Sequence, residues 1–107
     1  MADANDANVR LELNSEVFQR NWLGLDKQER NRVTDTLRKL RQMTWSQAYR
    51  DAGLKWEKVA SVKPPPGIDA IYTLRITQSR RATACRQGDF MRLLSVAPDH
   101  DAAYGRK

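Results

Sequence analysis

The 107-residue chain has one cysteine, Cys85, and one histidine, His100. That scarcity excludes a disulfide framework and a Cys/His zinc site built from this chain alone, and it fits a reduced, cytoplasmic setting. No apolar run approaches the length of a membrane span. The opening Met-Ala-Asp-Ala-Asn-Asp-Ala-Asn lacks the basic and apolar parts of a signal peptide and reads as a short disordered leader over residues 1–8, with one domain over 9–107. At 107 residues, with 40% hydrophobic and 30% charged, the chain has room for a single modest core.

Charge is what the chain does have. Nineteen Lys and Arg against thirteen Asp and Glu leave +6, and the first 25 residues are net −2, so the remainder carries +8. An anionic partner fits such a surface better than an apolar ligand, with nucleic acid, an acidic protein and a membrane surface as the candidate classes.

Local patterns give an order of elements. Val9–Leu13 alternates apolar and charged residues, as a half-buried strand does. Asn14 or Ser15 can cap a helix carrying Val17, Phe18, Trp22 and Leu25, which Gly24 interrupts. Asp26, three residues before Glu29, starts a second helix whose Val33, Leu37 and Leu40 form its apolar face and whose Lys27, Arg30, Arg38 and Arg41 form a solvated one. Thr44 caps a short third helix with Trp45, Ala48, Tyr49 and Ala52 on its core face, stopped by Gly53. Residues 54–59 read as extended, and Lys63-Pro-Pro-Pro-Gly67 as a stiff loop.

Three strand-like runs follow, Ile71–Ile76, Arg81–Cys85 and Phe90–Val96, the last two joined by a hairpin at Gln87-Gly88-Asp89. The sum is an α+β domain: an N-terminal strand, an antiparallel helical hairpin and a short third helix packed on one face of an antiparallel sheet. Alternation places Tyr72, Leu74 and Ile76 toward the helices and Thr73 and Arg75 on the open face. Of the adjacent Arg80 and Arg81, one must point the other way, and it reads as a solvated charge.

Tyr72-Thr-Leu-Arg-Ile76, Ser79-Arg-Arg81, the Gly88-Asp89 turn, the strand to Val96 and the closing Asp99-His-Asp-Ala-Ala-Tyr104 together resemble the RelE/ParE superfamily of bacterial toxins. The resemblance covers roughly residues 9–104. It implies a RelE-like fold, a cognate antitoxin partner from a type II toxin–antitoxin pair and, in the RelE branch, metal-independent and ribosome-dependent cleavage of mRNA, an mRNA interferase activity that inhibits translation and needs no cofactor. The ParE branch implies a non-catalytic inhibitor of DNA gyrase instead, and a basic nucleic-acid-binding domain without toxicity is a third reading.

RNA cleavage without a metal needs a base, an acid and cations around the phosphorane. Arg75 and Arg81 suit phosphate oxygens, His100 titrates near neutral pH, and Tyr104, at i+4 from His100, can orient it, stack or exchange a proton. These four are the expected catalytic residues. Lys55 and Lys58 are expected to hold the RNA backbone, with Trp56 between them either stacking on a base or anchoring to the sheet. Thr73 stands where many RNA-cleaving members of the family carry a second strand lysine, which implies slower or more selective cleavage, or none.

Overall fold

The computed structural model describes residues 6–61 and 63–97. Three of its elements are helices with side-chain caps. Helix α1 spans Glu16–Leu23, where the Ser15 hydroxyl accepts from the Phe18 N–H at 3.2 Å and also donates to the Leu94 carbonyl at 3.1 Å. One side chain thus starts the helix and fastens it to the last strand. Helix α2 spans Lys27–Arg41, with Asp26 accepting from the Glu29 N–H. Helix α3, Trp45–Arg50, begins with a full capping box between Thr44 and Gln47. It ends earlier than Gly53 because the Asp51 carboxylate accepts from the Leu54 N–H and turns the chain there.

The strands are β1 (Arg10–Glu12), β2 (Glu57–Lys58), β3 (Tyr72–Thr77), β4 (Arg80–Gln87) and β5 (Phe90–Val96). They form one sheet in the order β1-β5-β4-β3-β2. The expected α+β architecture is present, with one correction: the sheet is mixed, because β1 pairs with β5 in parallel while the other neighbours are antiparallel. Alternation within a strand decides which side chains face inward. It carries no information about which strand lies alongside, and β1 and β5 are separated in the chain by all three helices and strands β2–β4.

Leu74, Ala82, Ala84, Met91, Leu93 and Val96 bury one face of the sheet against Phe18, Val33, Leu37, Leu40 and Trp45 from the helices. Full burial of each large apolar side chain contributes about 1.5–3 kcal/mol. Gly88, with φ +62°, supplies the left-handed turn between β4 and β5. No helix among the described residues is long and apolar enough to cross a membrane.

Residues 6–8, expected within a disordered leader, are paired with the domain. The Ala7 carbonyl accepts from the Trp45 N–H at 2.9 Å, Asp6 accepts from the Ser46 N–H at 2.9 Å, and Asn8 bridges to Thr44. Two further expectations change. Tyr49 is 46% exposed rather than core, its hydroxyl accepting from the Arg86 guanidinium at 2.9 Å. Arg80 is buried rather than solvated: it donates to Glu29 of α2 at 3.0 Å and to the Ala97 carbonyl at 2.7 Å.

Candidate nucleic-acid site on the open face of the sheet

Register across the central strands sets the site. Arg75 on β3 is the direct cross-strand partner of Arg81 on β4, and Thr73 is the partner of Thr83, so all four project from the face opposite the helices. Thr83 in turn pairs with Ser95 on β5, and their hydroxyl oxygens lie 2.6 Å apart. Arg81 donates to the Thr73 hydroxyl at 3.4 Å. Neither Arg75 nor Arg81 forms an ion pair with a carboxylate among the described residues. Like charges directly opposed on a sheet are destabilising, by roughly 0.2–1 kcal/mol, so this pair is not explained by folding.

A trough of about 860 Å³ runs beside these residues, between the open face and the chain from Glu57 to Pro65. Arg81, Lys58 and Lys63 contribute its cations, and Thr73, Thr83 and Ser95 its hydroxyls. Among the described residues that line it, Glu57 is the one carboxylate. It is placed there by β2–β3 pairing, which sets Glu57 opposite Thr73 and Lys58 opposite Tyr72. The trough thus offers hydrogen-bond donors and positive charge for an oxyanion and, in Glu57, a carboxylate that can act on a proton.

The expected site residues separate into groups. Arg75 and Arg81 are brought side by side, Arg81 in the trough's lining and Arg75 outside it, and Lys58 also borders the trough. Lys55 is exposed, in a left-handed conformation at φ 47°, and is not part of the lining. Trp56 takes the anchoring role of its two expected ones. Its ring stacks on Tyr72 at 4.6 Å and 15° and meets Trp45 edge-on at 5.8 Å, toward the helices and away from the trough. His100 and Tyr104 lie outside the described residues.

The sequence reading missed Glu57, Lys63 and the Thr83–Ser95 hydroxyl pair. Thr83 was within reach of alternation from Arg81. Glu57 and Lys63 flank a loop whose path back to the sheet no local pattern sets.

No protein-family model matches the chain, and no curated protein matches it in sequence. Solved structures do share its fold. A chain of the archaeal RelE–RelB complex from Pyrococcus horikoshii superposes with a TM-score of 0.58 at 13% identity, covering 83% of this chain and 92% of that one. A chain of the YoeB dimer from Staphylococcus aureus gives 0.50 at 17% identity, with 83% and 94% covered. The protein has a RelE-like fold.

Proposed function

We propose that the protein is the toxin of a type II toxin–antitoxin pair and acts as a metal-independent endoribonuclease on mRNA at the ribosome. The observation that carries this reading is the convergence of Arg81, with Arg75 beside it, and Glu57 on one trough, under a RelE-like fold.

In the proposed reaction, Glu57 takes the proton from a ribose 2′-hydroxyl, whose oxygen attacks the adjacent phosphorus. The bond from phosphorus to the 5′-oxygen breaks, and that oxygen leaves with a proton from an acid. The products are a 2′,3′-cyclic phosphate and a 5′-hydroxyl. Arg75 and Arg81 stabilise the charge on the equatorial oxygens, where a single well-placed donor is worth about 10²–10³ in rate. His100 supplies the acid. It follows Ala97, which lines the trough, by three residues, within a covalent reach of about 11 Å. Tyr104 supports that proton transfer, while Lys58 and Lys63 hold the RNA backbone. Thr73 leaves the site with fewer cations than a second strand lysine would give, which favours slower, more selective cutting.

A cognate antitoxin is the proposed protein partner, because one structural neighbour is RelE in complex with RelB. An acidic antitoxin segment over the trough would block the same cations that hold RNA.

The test is expression without antitoxin, followed by mapping of transcript ends. Growth arrest with new 5′-hydroxyl ends inside coding regions supports the reading, as does resistance of a substrate whose scissile ribose lacks the 2′-hydroxyl. Arrest with intact transcripts and a DNA-damage response would instead point to a non-catalytic gyrase inhibitor.

A further inference from the structure

Helix α2 carries far more cations than its packing uses. Its 15 residues hold six Lys and Arg against Glu29 and Asp35. Several of these charges are engaged. Glu29 pairs with the buried Arg80 at 3.0 Å and with Arg32 at 3.6 Å, Lys39 pairs with Asp51 at 3.1 Å, and Arg30 donates to the Leu25 carbonyl. Lys27, Arg38 and Arg41 are exposed and form no ion pair among the described residues.

Those three fall on one stripe at i, i+11 and i+14, extending about 21 Å at ~1.5 Å rise per residue. Arg38 and Arg41 stand near the helix C-terminus, where cations complement the dipole. Lys27 stands in the first turn, where a cation opposes it, so helix stability does not account for the stripe. At its far end Arg41 shares a notch of about 710 Å³ with the exposed Arg10 of β1, whose guanidinium lies 4.8 Å over the Phe90 ring, and with one carboxylate, Asp89.

We infer that this outer face of α2, together with Arg10, is a second polyanion-binding surface, and that its ligand is the phosphate backbone of a base-paired RNA. It lies on the helical side of the sheet, opposite the trough, so one strand of RNA in the trough does not occupy it. The residues between the cations decide the class of ligand. Asn31, Thr34 and Gln42 are polar and uncharged, Asp35 is the one exposed carboxylate among them, outnumbered by the cations, and the stripe itself carries no aromatic or large aliphatic anchor. Protein interfaces depend on such buried anchors, whereas backbone binding to a duplex needs only spaced cations and polar donors. The surface would hold the protein on structured RNA without choosing a sequence, while the trough on the other face does the chemistry.

The probe is a stable RNA hairpin, and binding is measured by anisotropy over a range of salt concentrations. Lys27→Gln/Arg38→Gln/Arg41→Gln keeps the helix and removes the three charges. It should bind at least about 10-fold more weakly than wild type and lower the slope of log K against log salt by about 2–3, close to one unit for each phosphate that is no longer neutralised. Arg20→Gln/Arg50→Gln removes two exposed cations that lie outside the stripe and outside the trough, and should bind the hairpin as wild type does. An unchanged affinity and slope in the triple variant would overturn the inference, and so would an equal loss of binding in this control variant. Retained hairpin binding with loss of antitoxin binding would reassign the face to a protein partner and overturn it equally. None of these outcomes depends on the protein being a nuclease.

Discussion

Arg75 and Arg81 stand directly opposite each other on neighbouring antiparallel strands, two guanidinium groups on one face, neither in an ion pair among the described residues. A sheet gains nothing from this arrangement, and a phosphodiester gains two forks of donors. Replacing either residue by alanine should therefore separate stability from activity. The melting temperature of Arg81→Ala is expected to stay level or rise slightly as the repulsion is relieved, while RNA cleavage falls by about 10²–10³. Thermal unfolding and transcript-end mapping on the same preparation check both halves. A variant that melts earlier and cuts normally would show the pair to be structural.

How far such a site can be read from sequence depends on whether its causes are local. Ser15, Asp26 and Thr44 cap their helices as their positions predict, because a cap involves only the next three residues. The shared face of Thr73 and Arg75 followed from alternation, and the place of Arg81 beside them, which the resemblance implied, is set by the β3–β4 register. The place of Glu57 did not follow, since its register with Thr73 is set across the intervening loop and its three prolines. Arg80 was misread for a related reason. Alternation shows that one of two adjacent arginines points inward, but only the fold brings Glu29, 51 residues away, to receive it.

Glu57 gives the sharpest test of the proposed chemistry. Glu57→Gln keeps size and shape and removes the proton acceptor, so cleavage should fall by about 10²–10⁴. Binding of single-stranded RNA should hold or tighten, because a negative charge leaves the trough. Measuring single-turnover cleavage beside binding distinguishes a base from a residue that only touches the RNA. Weaker binding with an unchanged rate constant would remove Glu57 from the mechanism.

Acid stability should respond to Asp51. Burial pushes this carboxyl up, but the Leu54 N–H and the Lys39 ammonium that bind its anion outweigh that, and its pKa is held below the usual aspartate value. A group depressed in the folded state stabilises the protein above its unfolded pKa, about 4, and that contribution is lost as pH falls through the lower folded value. Asp51→Asn cannot titrate. It is expected to be less stable than wild type near neutral pH, and the difference should shrink between about pH 5 and pH 2. Urea unfolding across that range reads the effect, and a constant difference at every pH would contradict the assignment.

Buried Arg80 pairs with half-buried Glu29, which joins α2 to the start of β4, and through the Ala97 carbonyl it also holds the end of β5. Arg80→Ala leaves Glu29 with only its longer pair to Arg32 and the Ala97 carbonyl without its donor, a loss of about 1–3 kcal/mol. In a domain of this size each kcal/mol moves the melting temperature by about 4–8 °C, so the drop is large enough to measure by circular dichroism. The double variant Arg80→Met/Glu29→Met removes both charges and fills the space with apolar atoms. It should recover part of that stability, because no half-buried carboxylate is left short of a partner, while the Ala97 carbonyl still lacks its donor. If the double variant were as unstable as the sum of the single ones, the two residues would be acting independently. The end of β5 would then be held to the helices through α1 instead, by the Ser15 and Asn21 hydrogen bonds to that strand.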